Sequence, residues 1–386
     1  MSRLHVIGGR SLLPGAGLVP ADILIEDGRI AAIGGAGSGR TLDATSLLVL
    51  PGIVDLHGDA FERQLQPRPG VDIAAPLALA ETEAQLLANG ITTAFHAVTL
   101  SWEPGLRSLP AWRMWRAAMA AARPAMLCDM RIQLRWEAFN LDALDEALAD
   151  IAAGAVQMLA FNDHTPSILR KLADPVAGAK YAERAGMSQA AFRAVAEAVA
   201  SREAEVPAAW ARIAAAARDA GLPIASHDDD TVAARESFRA DGALVCEFPT
   251  EQAVAEAARA AGDAVVMGAP NVLRGKSHLG WTSAARLAEA GLCTVLCSDY
   301  FYPALVQAPF VLAGRGVMDL PSAWALVSAN PAAAAGLADR GVLAPGRRAD
   351  LVLVDTAGPA PRVVAAISAG RPVFMQGGMW ERMQPA

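Results

Sequence analysis

Cysteine is scarce, with four in 386 residues (Cys128, Cys246, Cys293, Cys297) and no Cys-x-x-Cys spacing among them. That excludes a cysteine-built zinc knuckle and a dithiol redox centre, and predicts reduced, partly buried thiols. Positive charge is also short. A net charge of −7 leaves no basic face for general nucleic-acid or membrane-surface binding, although a local arginine cluster can still hold an anionic small molecule. No apolar run approaches transmembrane length, and the opening Met-Ser-Arg-Leu-His-Val-Ile-Gly-Gly has none long enough for a signal peptide. A cytoplasmic protein is expected. Two glycine-rich stretches fail as nucleotide motifs. Gly34–Gly39 has the wrong spacing for a dinucleotide fingerprint, and Gly268 to Gly275-Lys276-Ser277 is two residues too long for a Walker A loop and contains Pro270.

What is present is apolar. With 53% hydrophobic and 19% charged residues, the chain can bury a large core and is not disordered. Residues 1–50 read as short strands and turns, with Asp27-Gly28 as a hairpin signal. From residue 51 the pattern changes to strands alternating with alanine-rich helices. Strand-length apolar runs fall at 53–56, 91–98, 126–134, 156–161, 222–226, 243–246, 264–268 and 292–297. Eight buried strands separated by helices predict an α/β fold, a (β/α)8 TIM-like barrel with its chemistry at the C-terminal strand ends. Residues 166–220 exceed a simple crossover and read as a lid or side-wall insertion. The tail from 341 returns to strands, and with residues 1–50 it predicts a small β-sandwich beside the barrel at 51–340.

Ligand-type residues cluster at the predicted strand ends. The first strand ends in His57-Gly58-Asp59, whose alternating side chains point the same way and can grip one divalent cation. The others end in His96, in Arg135-Trp136-Glu137, in Asp163-His164, in His227-Asp228-Asp229-Asp230, in Glu247 and in Ser298-Asp299. Four of the six histidines thus sit where a barrel keeps its active site. Blander roles stay open. Asp228, Asp229 and Asp230 suit capping or support of a ligand, and Asp299 can cap a helix. His96 reads equally as a packed side chain, while Glu137 and Glu247 can pair with arginines. After the seventh strand, Arg274, Lys276, Ser277 and His278 on a glycine-flexible loop suit oxyanion binding. Arg63 and Arg68 add cations after the first strand.

These residues resemble a family. The run from Leu50 to Asp59, Leu-Pro-Gly-Ile-Val-Asp-Leu-His-Gly-Asp, is similar to the amidohydrolase superfamily, as are Pro-Arg-Pro-Gly-Val-Asp after it, Asn330-Pro331-Ala332 and Gly346-Arg347-Arg348-Ala349-Asp350. Asp163-His164-Thr165-Pro166, Ser226-His227-Asp228-Asp229, Glu247-Phe248-Pro249-Thr250 and Ser298-Asp299-Tyr300 resemble its branch that cleaves the triphosphate of a sugar phosphonate in the carbon–phosphorus lyase pathway. The resemblance implies a distorted barrel, a flanking β-sandwich, and one or two divalent metals per chain, zinc first and manganese or iron as alternatives. It implies His57, Asp59, Glu137, His164, His227 and Asp299 as the metal set, with Glu137 bridging and Asp299 also catalytic. Substrate contacts are expected from Arg63, Arg68, His96, Glu247, Arg274, Lys276, Ser277 and His278. The sequence departs from the superfamily pattern in having His-x-Asp on strand 1, no lysine on strand 4 and Glu247 in place of a histidine on strand 6.

The expected partner is an anionic small molecule, a phosphorylated sugar phosphonate, with no nucleic acid and no membrane; a homo-oligomer is compatible with the sequence. The expected reaction is metal-dependent hydrolysis of a phosphoric anhydride. One alternative is hydrolysis of a C–N bond in a cyclic amide or aminated ring, against which the arginine-bearing loops speak. The other is a non-catalytic barrel, which the retained ligand-type residues disfavour.

Overall fold

The computed structural model describes residues 3–35, 37, 39–68, 70–275 and 283–385. Lys276, Ser277 and His278 lie outside the described residues.

The central sheet is parallel and eight-stranded. Its strands are β1 (Ile53–Gly58), β2 (Ile91–Leu100), β3 (Asp129–Glu137), β4 (Met158–Asn162), β5 (Ile224–His227), β6 (Val245–Glu247), β7 (Ala264–Gly268) and β8 (Val295–Cys297), in that order around the sheet. Each answers one of the apolar runs, displaced by at most a few residues. The sheet closes on itself only at its C-terminal rim. There Gly58 bridges Asp299, the Asp299 N–H donates to the His57 carbonyl at 2.9 Å, and the Asp59 N–H donates to the Asp299 carbonyl at 3.0 Å. Buried Asp55 fastens the same seam by accepting the Ser298 N–H at 2.9 Å and the Ser298 hydroxyl. Below the rim the gap is filled from the following helices, with the Val54 N–H donating to the Val327 carbonyl and the Leu296 N–H to the Leu326 carbonyl.

Strand alternation sorts the side chains. Val54, Leu56, Phe95, Met158, Ala160, Ala225, Val245, Val266, Val295 and Cys297 fill the lumen floor. Their neighbours Ile53, Ala94, Val98, Leu134, Leu159 and Phe161 face the surrounding helices. An apolar floor under polar strand ends forces the site upward to the C-terminal rim, as in other packed barrels.

The chain ends build two further sheets. In one, Met383–Gln384, Arg40–Asp43, Arg3–Ile7, Ile23–Glu26 and Arg29–Ile33 lie side by side. In the other, Leu48–Pro51 pairs antiparallel with Leu351–Asp355, locking the entry to the barrel against its exit. A shared apolar core including Leu4, Ile23, Leu351 and Ile367 holds them face to face.

The long stretch after β4 carries helices Thr165–Lys171, Pro175–Ala185, Gln189–Ala200 and Val206–Asp219. The first three enclose their own cluster of Ile168, Leu172, Ala182, Phe192 and Ala196. The fourth buries Ile213, Ala214 and Ala217 in the barrel core. It is therefore a barrel helix, and the separately packed portion is shorter than 166–220.

Candidate active site

The rim site is built on β1, β3, β5 and β6. Along β3, alternate residues Gln133, Arg135 and Glu137 face inward, while Ile132, Leu134 and Trp136 join the outer core. Each inward residue meets a different partner. Gln133 Nε2 donates to Glu247 Oε1 at 2.6 Å, Arg135 Nη2 lies 3.0 Å from His227 Nε2, and Glu137 accepts from the start of the helix after β4.

His57 and Glu247 form the deepest pair, Nδ1 to Oε2 at 3.1 Å, both buried. Burial alone lowers a histidine pKa, but the facing carboxylate outweighs it and holds His57 above its ordinary value. Burial likewise pushes Glu247 up, and the His57 contact overcomes it and holds Glu247 below its ordinary value. Since Nδ1–H donates to Glu247, Nε2 is the nitrogen that, in the neutral ring, offers its lone pair to a cation.

His227 lies beside them, its ring 5.3 Å from that of His57 and 5.7 Å from that of His164. Burial lowers its pKa to about 4, so the ring is neutral at cellular pH. Asp228 faces both neighbours, 3.4 Å from His164 Nε2 and 3.2 Å from His227 Nδ1. Burial opposes its ionisation, yet the two imidazoles hold it well below the usual carboxylate range. Among the described residues two donor groups result, each with ligand atoms within 4.8 Å of one another: His57, His227 and Glu247, and His164, His227 and Asp228.

The donors are imidazole nitrogens and carboxylate oxygens, the set that zinc and similar divalent ions take. Polar atoms left without partners mark the same place. Among the described residues, Arg135 Nε, Gln133 Oε1 and both amide atoms of Asn162 at the end of β4 are buried without a hydrogen-bond partner. Such atoms signal a polar void that an ion or water fills. The residues present therefore fit a divalent cation.

Backbone strain sits on the same rim. Asp228, Phe248 and Asp299 adopt φ of 61°, 54° and 54°, left-handed values uncommon outside glycine. The first two directly follow β5 and β6. Each costs on the order of 1–3 kcal/mol and persists because the rim hydrogen bonds hold it. Asp299 rests over Gly268, where an added Cβ would lie 2.9 Å from Asp299 Oδ2. Burial, reinforced by the charge of Asp59, raises the Asp299 pKa to about 7.

Several expected residues stand elsewhere. Glu137, expected to bridge metals, lies outside both donor groups. Its carboxylate takes the Thr165 hydroxyl at 2.7 Å, the Thr165 N–H at 3.1 Å and the His164 N–H at 3.2 Å. It anchors a helix start, and burial raises its pKa to about 7. Asp59 and Asp299 also fall outside the groups, and Asp59 instead faces Arg135 Nη1 at 4.0 Å. Glu247, expected to contact substrate, is fully buried with its oxygens engaged by His57 and Gln133. Arg63, Arg68 and Arg274 are exposed, and Arg274 Nη1 reaches the Tyr300 hydroxyl at 3.5 Å. Arg135, Gln133 and Asp228 enter the site although sequence reasoning gave them supporting parts at most.

His96 is the clearest correction. It faces the helices, between Phe61 and Trp115, with ring centroids 5.3 and 5.7 Å away. It is 1% exposed, neither ring nitrogen has a hydrogen-bond partner among the described residues, and burial lowers its pKa to about 3. The unfolded chain takes up this proton near pH 6.5 and the folded chain only near 3, so His96 weakens the fold progressively as pH falls through that window. At pH 5 the penalty is about 2 kcal/mol. His96→Leu is therefore expected to be less acid-sensitive than the parent. Urea unfolding at pH 7.5 and 5 checks this; equal pH slopes would refute it.

The chain matches the amidohydrolase family over residues 48–377, and it belongs to that family. It is 33% identical over 348 residues to the alpha-D-ribose 1-methylphosphonate 5-triphosphate diphosphatase of Escherichia coli (strain K12), covering 87% of this chain and 91% of that protein. Its fold is similar to that of an amidohydrolase from an environmental sample of the Sargasso Sea (TM-score 0.66, 18% identity, 97% of this chain and 93% of the other). A 5-methylcytosine deaminase from Klebsiella pneumoniae is also similar in fold (TM-score 0.62, 15% identity, 97% and 96% covered).

Proposed function

We propose that this protein is a metal-dependent diphosphatase that cleaves the triphosphate of α-D-ribose 1-methylphosphonate 5-triphosphate, giving the 5-phosphate and pyrophosphate. The observation that carries the reading is the convergence of His57, His227 and Glu247 at a barrel rim beside a carboxyl poised near neutrality. The extent of likeness to the Escherichia coli enzyme supplies the substrate.

His57 and His227 would hold the divalent ion, with Glu247 fixing the His57 ring. His164, His227 and Asp228 form the second group able to take it. Zinc is the first choice, because imidazole and carboxylate donors suit it. Bound there, the ion supplies Lewis-acid polarisation and acidifies water near neutral pH. Asp299 removes the proton from the attacking water. The new P–O bond forms in line as the anhydride P–O bond breaks, and pyrophosphate leaves with the bond's electron pair. Arg274 at the rim counters the charge gathering on that leaving group.

Phosphorus NMR of the metal-loaded protein with this triphosphate, with bound metal quantified in the same sample, tests the reading. Pyrophosphate and a 5-phosphate monoester are expected. No turnover with metal bound would transfer the proposal to hydrolysis of a C–N bond in a cyclic amide or aminated ring.

A further inference from the structure

We infer that Arg135 competes with the divalent ion for His227, and that metal entry moves its guanidinium from His227 to Asp59. The inference rests on the metal reading above and names a residue that sets its affinity.

A guanidinium has no acceptor and stays protonated, so the 3.0 Å contact from Arg135 Nη2 makes His227 Nε2 the acceptor. A neutral imidazole has one lone pair. With Nε2 accepting from Arg135, Nδ1 carries the proton, and neither nitrogen can coordinate a cation. Moving the proton does not help, because a protonated Nε2 would oppose the arginine N–H. His227 is common to both donor groups, so an ion in either one needs the lone pair that Arg135 holds. The arginine must yield first.

It has a place to go. Asp59 Oδ2 lies 4.0 Å from Arg135 Nη1, whereas the contact to His227 is made by the other terminal nitrogen, Nη2. A small rotation converts that approach into a paired contact. Asp59 stands outside both donor groups and can accept it. Among the described residues Arg135 Nε has no hydrogen-bond partner, so that donor does not resist the shift. Before loading, the arginine neutralises part of the charge of Asp59 and Asp299. After loading, it stays beside the ion as a fixed cation.

The test is metal binding by calorimetry with zinc and with manganese on metal-stripped wild type, Arg135→Met and Arg135→Lys. Methionine keeps the stem and removes the competing donor. Lysine keeps the charge and shortens the reach. Tighter binding by roughly 10- to 100-fold is expected for R135M, the range over which groups that hold a metal's ligands alter its affinity, and a smaller tightening for R135K. Equal or weaker binding by R135M overturns the inference. Tightening by R135M with R135K unchanged would show charge repulsion alone, and overturns it too. Absence of binding by all three proteins overturns the metal reading itself. Nitrogen-15 shifts of His227 in the metal-free wild type decide independently of whether the variants fold: a protonated Nδ1 and an accepting Nε2 are expected, and the reverse tautomer refutes the competition.

Discussion

Asp299→Asn is expected to lower kcat by roughly 10²- to 10⁴-fold, the contribution of a positioned general base. Bound metal should stay near the wild-type amount, since Asp299 lies outside both donor groups. Asparagine fills the same volume over Gly268 and leaves the backbone seam to His57 and Asp59 intact. What it removes is the carboxyl whose pKa burial and Asp59 raise to about 7. The base must be ionised, so wild-type kcat should fall on acidification, and a cation bound nearby places that limb at or below pH 7. The variant should lack the limb. Metal analysis and a kcat–pH profile on both proteins decide the matter; full activity with metal retained would remove Asp299 from the mechanism.

Asp299 stands out in the sequence as an acid at the end of an apolar strand, although that position also suits a helix cap, and its proposed role comes from the family resemblance. The strand-end position also marked His57, His164 and His227, and the eight strands themselves were legible, since a buried parallel strand is a short unbroken apolar run. Direction around the strand was less legible. In a run such as Ile91–Leu100, buried on both faces, no polar–apolar alternation says which side is inward. His96 therefore reads equally as a site residue or a packed side chain, and in the fold Phe95 takes the lumen while His96 turns to the helices. Arg135 was hidden for a different reason. Between Leu134 and Trp136, and two residues from Glu137, it reads as a charge pairing locally, whereas its partner His227 lies 92 residues away. The left-handed turns at Asp228, Phe248 and Asp299 carry no glycine to announce them.

Glu247 shows what replaced the histidine expected on β6, and its removal should be the most damaging change to the fold among the site residues. The carboxylate is 0% exposed, accepts from His57 Nδ1 at 3.1 Å and from Gln133 Nε2 at 2.6 Å, and faces no solvent that can substitute. Glu247→Ala strands both donors and opens a void above an apolar floor. Breaking one partner out of a buried pair of this kind costs about 3–5 kcal/mol. The damage should extend to the metal, because Glu247 sets the His57 tautomer; releasing such a partner weakens metal affinity by roughly 10- to 100-fold. Glu247→Gln separates the two effects. The amide fills the space and can accept from only one of the donors, so it should recover part of the stability. It carries no charge to hold His57 as a proton donor, so metal affinity should remain low. Urea unfolding and zinc titration of the two variants measure these quantities side by side. Wild-type affinity in Glu247→Gln would mean that the ring of His57 is held by packing against Phe248, 5.0 Å away, with the carboxylate serving only to fill the lumen.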